Sequence, residues 1–189
     1  MRTVIYSMSV SLDGFIAGPG GDIGWTGPDQ EQFEFHVQQT REIGVELMGR
    51  RLYEAMLVWE TAETTMSGAD QLEFARIWKA IPKVVFSTTL EQVQGNARLA
   101  GDDVAGEVAK LREAPGDGVI SVGGAGLAAT LIKLDLIDEY RLFVNPVVVG
   151  GGTPYFPPLE AAIELELLET RTVGSRGVVY LRYLRSRRG

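Results

Sequence analysis

Gly123-Gly124-Ala125-Gly126 follows the β-branched run Val119-Ile120-Ser121-Val122, and Leu127, Leu131, Ile132 and Leu134 come after it at helical spacing. A strand that turns through glycines into a helix aims backbone N–H groups and a helix N-terminus at one point. That is anion-binding chemistry, and a dinucleotide pyrophosphate is its common occupant in α/β proteins. A tight turn that needs glycine only for backbone freedom gives the same pattern. Two other junctions carry compatible groups. Gly49-Arg50-Arg51 closes the run Gly44 to Met48, and guanidinium groups grip phosphate through paired hydrogen bonds. Ser87-Thr88 closes Lys83 to Phe86 and adds hydroxyls. Ligands of open α/β sheets bind outside the carboxyl ends of the strands, so the three sets are expected to converge on one phosphorylated dinucleotide.

The elements that must position these groups follow from periodicity. Residues 3 to 11 alternate as a first strand, and the glycine-rich stretch DGFIAGPGGDIGWTGPD then reads as a binding loop or lid. Ile23 and Trp25 are large apolar groups on that loop and are expected to cover something. Asp29, after Pro28, is an N-cap for a helix that carries Phe33, His36 and Val37 inward. Glu60 to Ile81 reads as helix with Phe74 and Trp78 inward, Asp103 to Glu113 as helix, and Asp138 to Val149 as strand. Ala162 to Thr172 and Arg176 to Leu184 read as an antiparallel hairpin. The fold class is therefore α/β, a mixed and mainly parallel central sheet with flanking helices and a C-terminal antiparallel hairpin. Nothing splits the chain, so 1–189 is expected to be a single domain.

Composition removes several functions. A net charge of −7 argues against nucleic acid as a partner. With no cysteine and one histidine, disulfides, thiolate nucleophiles and a His- or Cys-built metal centre drop out, and no metal site is expected. No acidic metal cluster accompanies the glycines, which argues against nucleotide hydrolysis. The N-terminus lacks the pattern of a signal peptide, and no stretch reaches the roughly eighteen apolar residues of a membrane span. A cytoplasmic protein with a small-molecule substrate and no membrane partner is expected. Arg182, Arg185, Arg187 and Arg188 read as a solvated tail. Tyr180, Tyr183 and Leu184 read as an apolar surface for a homodimer. Gly124 to Ala129 matches G-x-G-x-x-G/A, but the Rossmann fingerprint belongs after the first strand, with an acidic residue about twenty positions on. Here that region is Val144-Asn145-Pro146, so the Rossmann reading fails.

SLDGFIAG (11–18), MGRRLYEAM (48–56), VVFST (84–88), VGGAG (122–126) and GGTPYFP (151–157) occur in the order found in the dihydrofolate reductase-like superfamily. The chain most resembles the branch that includes the reductase domain of the bifunctional riboflavin-biosynthesis deaminase-reductase. The resemblance implies a dihydrofolate reductase-like fold with an eight-stranded mixed sheet. It also implies NADPH as cofactor and hydride transfer to an unsaturated carbon of a small heterocyclic or sugar-derived substrate. Carried over by residue, Gly49, Arg50 and Arg51 would contact the cofactor phosphates. Ser87 and Thr88 would lie near the 2′-phosphate, and Gly123, Gly124, Ala125, Gly126 and Leu127 would cradle the pyrophosphate. Trp25 would belong to a lid over the nicotinamide, and Thr153 would approach the substrate.

Phe33 and His36 complete the candidate substrate contacts, with a core or rim position as the other reading of His36. Asp13, at the end of the first strand, is the candidate proton donor, with an Asx turn as its other reading. Folate-reducing members carry a carboxylate on the inward face of the first helix. Alignment through Trp25 and Pro28 puts Gln30 there, and alignment back from Thr40 puts Gln32 there. The riboflavin-pathway reductases have a longer acidic-proline motif where this chain has LYEAMLVWE. A non-catalytic ligand-binding domain on the same fold is the rival reading.

Overall fold

The computed structural model describes residues 1–187. Its elements begin with β1 (Val4–Ser11), β2 (Phe15–Ala17), α1 (Gln30–Thr40), β3 (Ile43–Gly49) and α2 (Arg50–Met56). A 3-10 turn at Leu57–Thr61 leads to α3 (Ala62–Thr65) and α4 (Ala69–Ala80). Then come β4 (Lys83–Phe86), β5 (Ala97–Ala100), α5 (Val104–Glu113), β6 (Val119–Gly123) and α6 (Ala125–Lys133). The chain closes with β7 (Glu139–Asn145), β8 (Thr153–Pro154), β9 (Leu165–Val173) and β10 (Val178–Arg185).

One eight-stranded sheet has the order β5-β4-β3-β6-β1-β7-β10-β9. Every neighbouring pair from β5 to β7 is parallel. The β9–β10 hairpin is added antiparallel to β7. This is the mixed, mainly parallel α/β architecture expected. β2 and β8 make a separate two-stranded ribbon.

Alternation along the strands divides the sheet into two faces. Val4, Tyr6, Val45, Leu47, Val84, Ile120 and Val122 face α5 and α6, which answer with Val108, Leu127, Ala128, Leu131 and Ile132. On the other face, Phe35 of α1 packs with Phe143, Val173, Val178 and Tyr180. Trp78 of α4 and Tyr53 of α2 pack there on Met48 and Val85. Asp29 caps α1 through a complete capping box with Gln32. Val37 is buried as expected and Phe33 only half-buried, because Gln32 and Phe35 take the inward positions.

Several expectations are corrected. The helix expected from Glu60 to Ile81 is interrupted, because Met66 is extended and Gly68 caps a new helix. The strand expected to reach Val149 ends at Asn145, where Pro146 has no N–H to continue the ladder. Tyr180 is buried and Tyr183 packs against the core, so only Leu184 of the proposed apolar face is exposed. The terminal arginines are not a loose tail. Arg182 pairs with buried Glu139, Arg185 with Asp135, and Arg187 with Asp138. Arg188 lies outside the described residues. Among the described residues, no helix is long and apolar enough to cross a membrane.

Candidate functional site

Four adjacent strands of the parallel run, β5, β4, β3 and β6, end side by side at one edge. Their carboxyl-end loops enclose a groove of about 420 Å³. Gly49 and Arg50 come from the β3–α2 junction, and Ser87, Thr88 and Thr89 follow β4. Gly101 and Asp102 follow β5, while Gly126, Leu127 and Thr130 belong to α6. The three anion-binding sets read from the sequence thus open onto a single surface.

Each group is held by its neighbours. Arg50 donates from Nε to Glu54 at 2.8 Å and from a terminal nitrogen to Thr89 Oγ1 at 2.8 Å. Its guanidinium is thereby oriented across the groove. Ser87 Oγ accepts the amides of Thr89 at 3.2 Å and Leu90 at 3.0 Å, which bends the chain after β4 into a tight hydroxyl-capped turn. Gly124 starts α6 at φ +88°, a conformation that L side chains avoid, and leaves the first amides of the helix without helical acceptors. A Cβ at Gly126 or Gly49 would meet nothing within 4 Å, so the space above both glycines is open. Amides, hydroxyls and a guanidinium around open space fit the phosphates of a dinucleotide.

Not every predicted residue reaches the groove. Arg51 is exposed, does not line it, and has no partner among the described residues. Gly123, Gly124 and Ala125 do not line it. Gly123 has a packing role, since a Cβ there would run into Leu52. Asp102 was missed. Its only signal is a position just before Asp103, the N-cap of α5.

The elements expected to form a lid sit beyond the end of β1. Ala17 pairs with Thr153 and Phe15 with Pro154, so Thr153 lies on the β2–β8 ribbon, exposed. Trp25 is half-buried in a short turn, its indole N–H on the carbonyl of Asp22 at 3.2 Å. Asp13 accepts from Ser11 Oγ at 2.6 Å and from the amides of Val149 and Gly150 at 3.2 and 2.8 Å. These donors, Ser11 first, hold its carboxyl below the usual range against a smaller desolvation effect. An ionised carboxylate committed to three donors clamps two loops together and has no proton to give at neutral pH. The Asx turn is not formed either, because the amide of Phe15 donates to Ser11 Oγ at 2.9 Å and Asp13 reaches across to the loop after β7.

On the α1 side, His36 lies against Phe143 with ring centroids 4.2 Å apart. Burial pushes its imidazole down to about 4, so it is neutral. Phe33 turns toward Phe74, with centroids 5.9 Å apart. Gln30 is held by Glu34 and Asp70, and Gln32 by the capping box and the carbonyl of Val173. Neither position supplies a carboxylate.

The RibD C-terminal domain family matches residues 2–179. The chain belongs to that family. It is 34% identical over 96% of its length, and over 94% of the relative, to YyaP of Bacillus subtilis (strain 168), a protein described as uncharacterized. A putative riboflavin biosynthesis protein from Shewanella sp. PV-4 superposes over 99% of this chain and 100% of its own, with TM-score 0.77 and 24% identity. Dihydrofolate reductase from Enterococcus faecalis, solved with NADP(H) and RAB-propyl, superposes over 98% and 97%, with TM-score 0.61 and 15% identity. The fold is dihydrofolate reductase-like, and the RibD C-terminal relationship agrees with the motifs at 48–56, 84–88 and 122–126.

Proposed function

We propose that the protein is an NADPH-dependent reductase that delivers hydride to a C=N or C=O of a small pterin-, pyrimidine- or sugar-derived substrate. One observation carries this reading: Arg50, the Ser87–Thr89 hydroxyls and the N-terminus of α6 line the same groove. NADPH would supply the hydride. The protein's work is to bind, orient and exclude water. Arg50, Ser87, Thr88 and Thr89 form a donor set suited to a 2′-phosphate, while Gly49, Gly126 and Leu127 offer backbone amides to the pyrophosphate. Trp25 and Thr153, on the loop and ribbon beyond β1, would close over the reacting end, and Phe33 and His36 would meet the substrate from α1.

Titration with NADPH and with NADH, followed by quenching of tryptophan fluorescence, tests the reading. Preferential binding of NADPH, weakened by Arg50→Ala, supports it. Binding of neither nucleotide would favour a non-catalytic ligand-binding domain. A screen of NADPH consumption over dihydropterins, pyrimidines and small carbonyl compounds would then fix the substrate class.

A further inference from the structure

The groove holds one group that phosphate binding does not use. Asp102 lines it together with Arg50 and the hydroxyls after β4. A carboxylate only accepts hydrogen bonds, so it repels a phosphate and needs a donor. The chain supplies none. Capping of α5 falls to the next residue, Asp103, whose carboxylate accepts the amide of Gly106 at 2.8 Å. Arg50 is held by Glu54 and Thr89, and Arg98 of β5 by Glu107. Asp102 is exposed, and its carboxylate has no hydrogen-bond or ion-pair partner among the described residues.

The place of Asp102 in the sheet decides which part of a dinucleotide it would meet. Phe86 and Ala100 are in register as the last residues of β4 and β5, so Ser87 and Gly101 leave the sheet side by side. β5 is the edge strand. Outward from α6, the groove offers the amides of Gly126 and Gly49, then Arg50 and the hydroxyls after β4, then Asp102. Phosphates suit the first two stations. The base is the part of the nucleotide left for the third. Phe86, Val104 and Leu127 give the groove an apolar floor, with Leu127 in the core and the other two half-buried against it. Such a floor suits the face of a flat ring, and a lone acceptor suits a ring that donates at its edge.

We propose that Asp102 selects the base of the nucleotide, accepting the exocyclic amino group of a 6-aminopurine and turning away a 6-oxopurine. The inference rests on the reductase reading above and deepens it. A 6-amino group donates to the carboxylate. A 6-oxo group sets a second acceptor against it and leaves the carboxylate unpaired. In NADPH the ribose 2′-oxygen carries phosphate, which leaves the amino group as the donor at the far end of the base.

Calorimetric titration of the full chain with NADPH, with its 6-oxo analogue (nicotinamide hypoxanthine dinucleotide phosphate) and with NADH tests this. Wild type should bind NADPH about 10- to 100-fold more tightly than the analogue, the worth of one hydrogen bond to a charged group. Asp102→Asn should bring the two within about threefold, because the asparagine amide can turn either its carbonyl or its NH2 to the ring. The same variant should leave the ratio of NADPH to NADH affinity within about threefold of wild type, since the 2′-phosphate donors are untouched. Asp103→Asn, which keeps a capping side chain at α5, should retain the wild-type base preference. Base preference that persists in Asp102→Asn, or wild-type protein that binds both purine nucleotides equally, overturns the proposal. An Asn variant that shifts only the ratio of NADPH to NADH overturns it too, by setting the carboxylate against the ribose. Wild-type protein that binds neither NADPH nor NADH overturns the reductase reading and the proposal with it, whereas NADPH binding without base preference overturns the role of Asp102 alone.

Discussion

Arg50 enters the groove with one nitrogen on Glu54 and another on Thr89, so a phosphate would meet a guanidinium already in place. Arg50→Ala is expected to weaken NADPH binding by about 10- to 100-fold, the range of a charged hydrogen bond, with a smaller effect on NADH. Arg51→Ala should change either affinity less than threefold. Calorimetric titration of both variants checks this. The sequence pointed to the pair of arginines but could not choose between them, since one residue of helix turns a side chain by about 100°. Glu46 was not legible at all. An acid between Val45 and Leu47 reads as the polar side of a strand, and only the sheet order sets it opposite Lys83 and Ser121. Burial pushes its carboxyl up to about 7, with a consequence for stability. Between about pH 4.5 and 7 the folded state holds more protons than the unfolded chain, so stability falls as pH rises through that window. Glu46→Gln should therefore be more stable than wild type at pH 8, by about 1–2 kcal/mol, with the gap closing toward pH 4.5. His36 works in the opposite sense. Its imidazole is pushed from 6.5 to about 4, so stability is lost as pH falls through that range. His36→Phe should flatten this acid limb in thermal melts followed by circular dichroism.

At the level of elements, the strand–glycine–helix junctions were the most legible part of the chain. β-branched residues, a glycine turn and helical spacing all gave the same answer for β6 and α6. Gly124 is the position where that agreement is strictest, since φ +88° excludes ordinary side chains. Gly124→Val is expected to cost about 1–2 kcal/mol through backbone conformation alone, read as a lower denaturant midpoint with unchanged slope. It should also weaken nucleotide binding by tilting the start of α6. Gly126→Ala, with open space above it and an ordinary backbone, should keep stability and lose affinity. β5 was missed because ARLA is four residues long and carries one exposed arginine. The β2–β8 ribbon was missed because its strands have three and two residues and lie 136 positions or more apart. Such short pairings are set by tertiary contact, and periodicity does not register them.

The whole molecule converts sequence distance into proximity by running β5, β4, β3 and β6 parallel and adjacent, so that Gly101, Ser87, Gly49 and Gly126 meet at one edge. That arrangement was readable in principle from the general rule for open sheets. The surroundings of Glu46 were not, because they depend on which strands neighbour β3. The most direct measurement is an NADPH titration of isotopically labelled protein followed by backbone amide chemical shifts. The amides of Gly49, Ser87 and Gly126 are expected to move together along one binding curve at one nucleotide per chain, with smaller shifts for NADH at Ser87. Shifts at only one of the three, or three curves with different midpoints, would contradict a single groove that grips one dinucleotide.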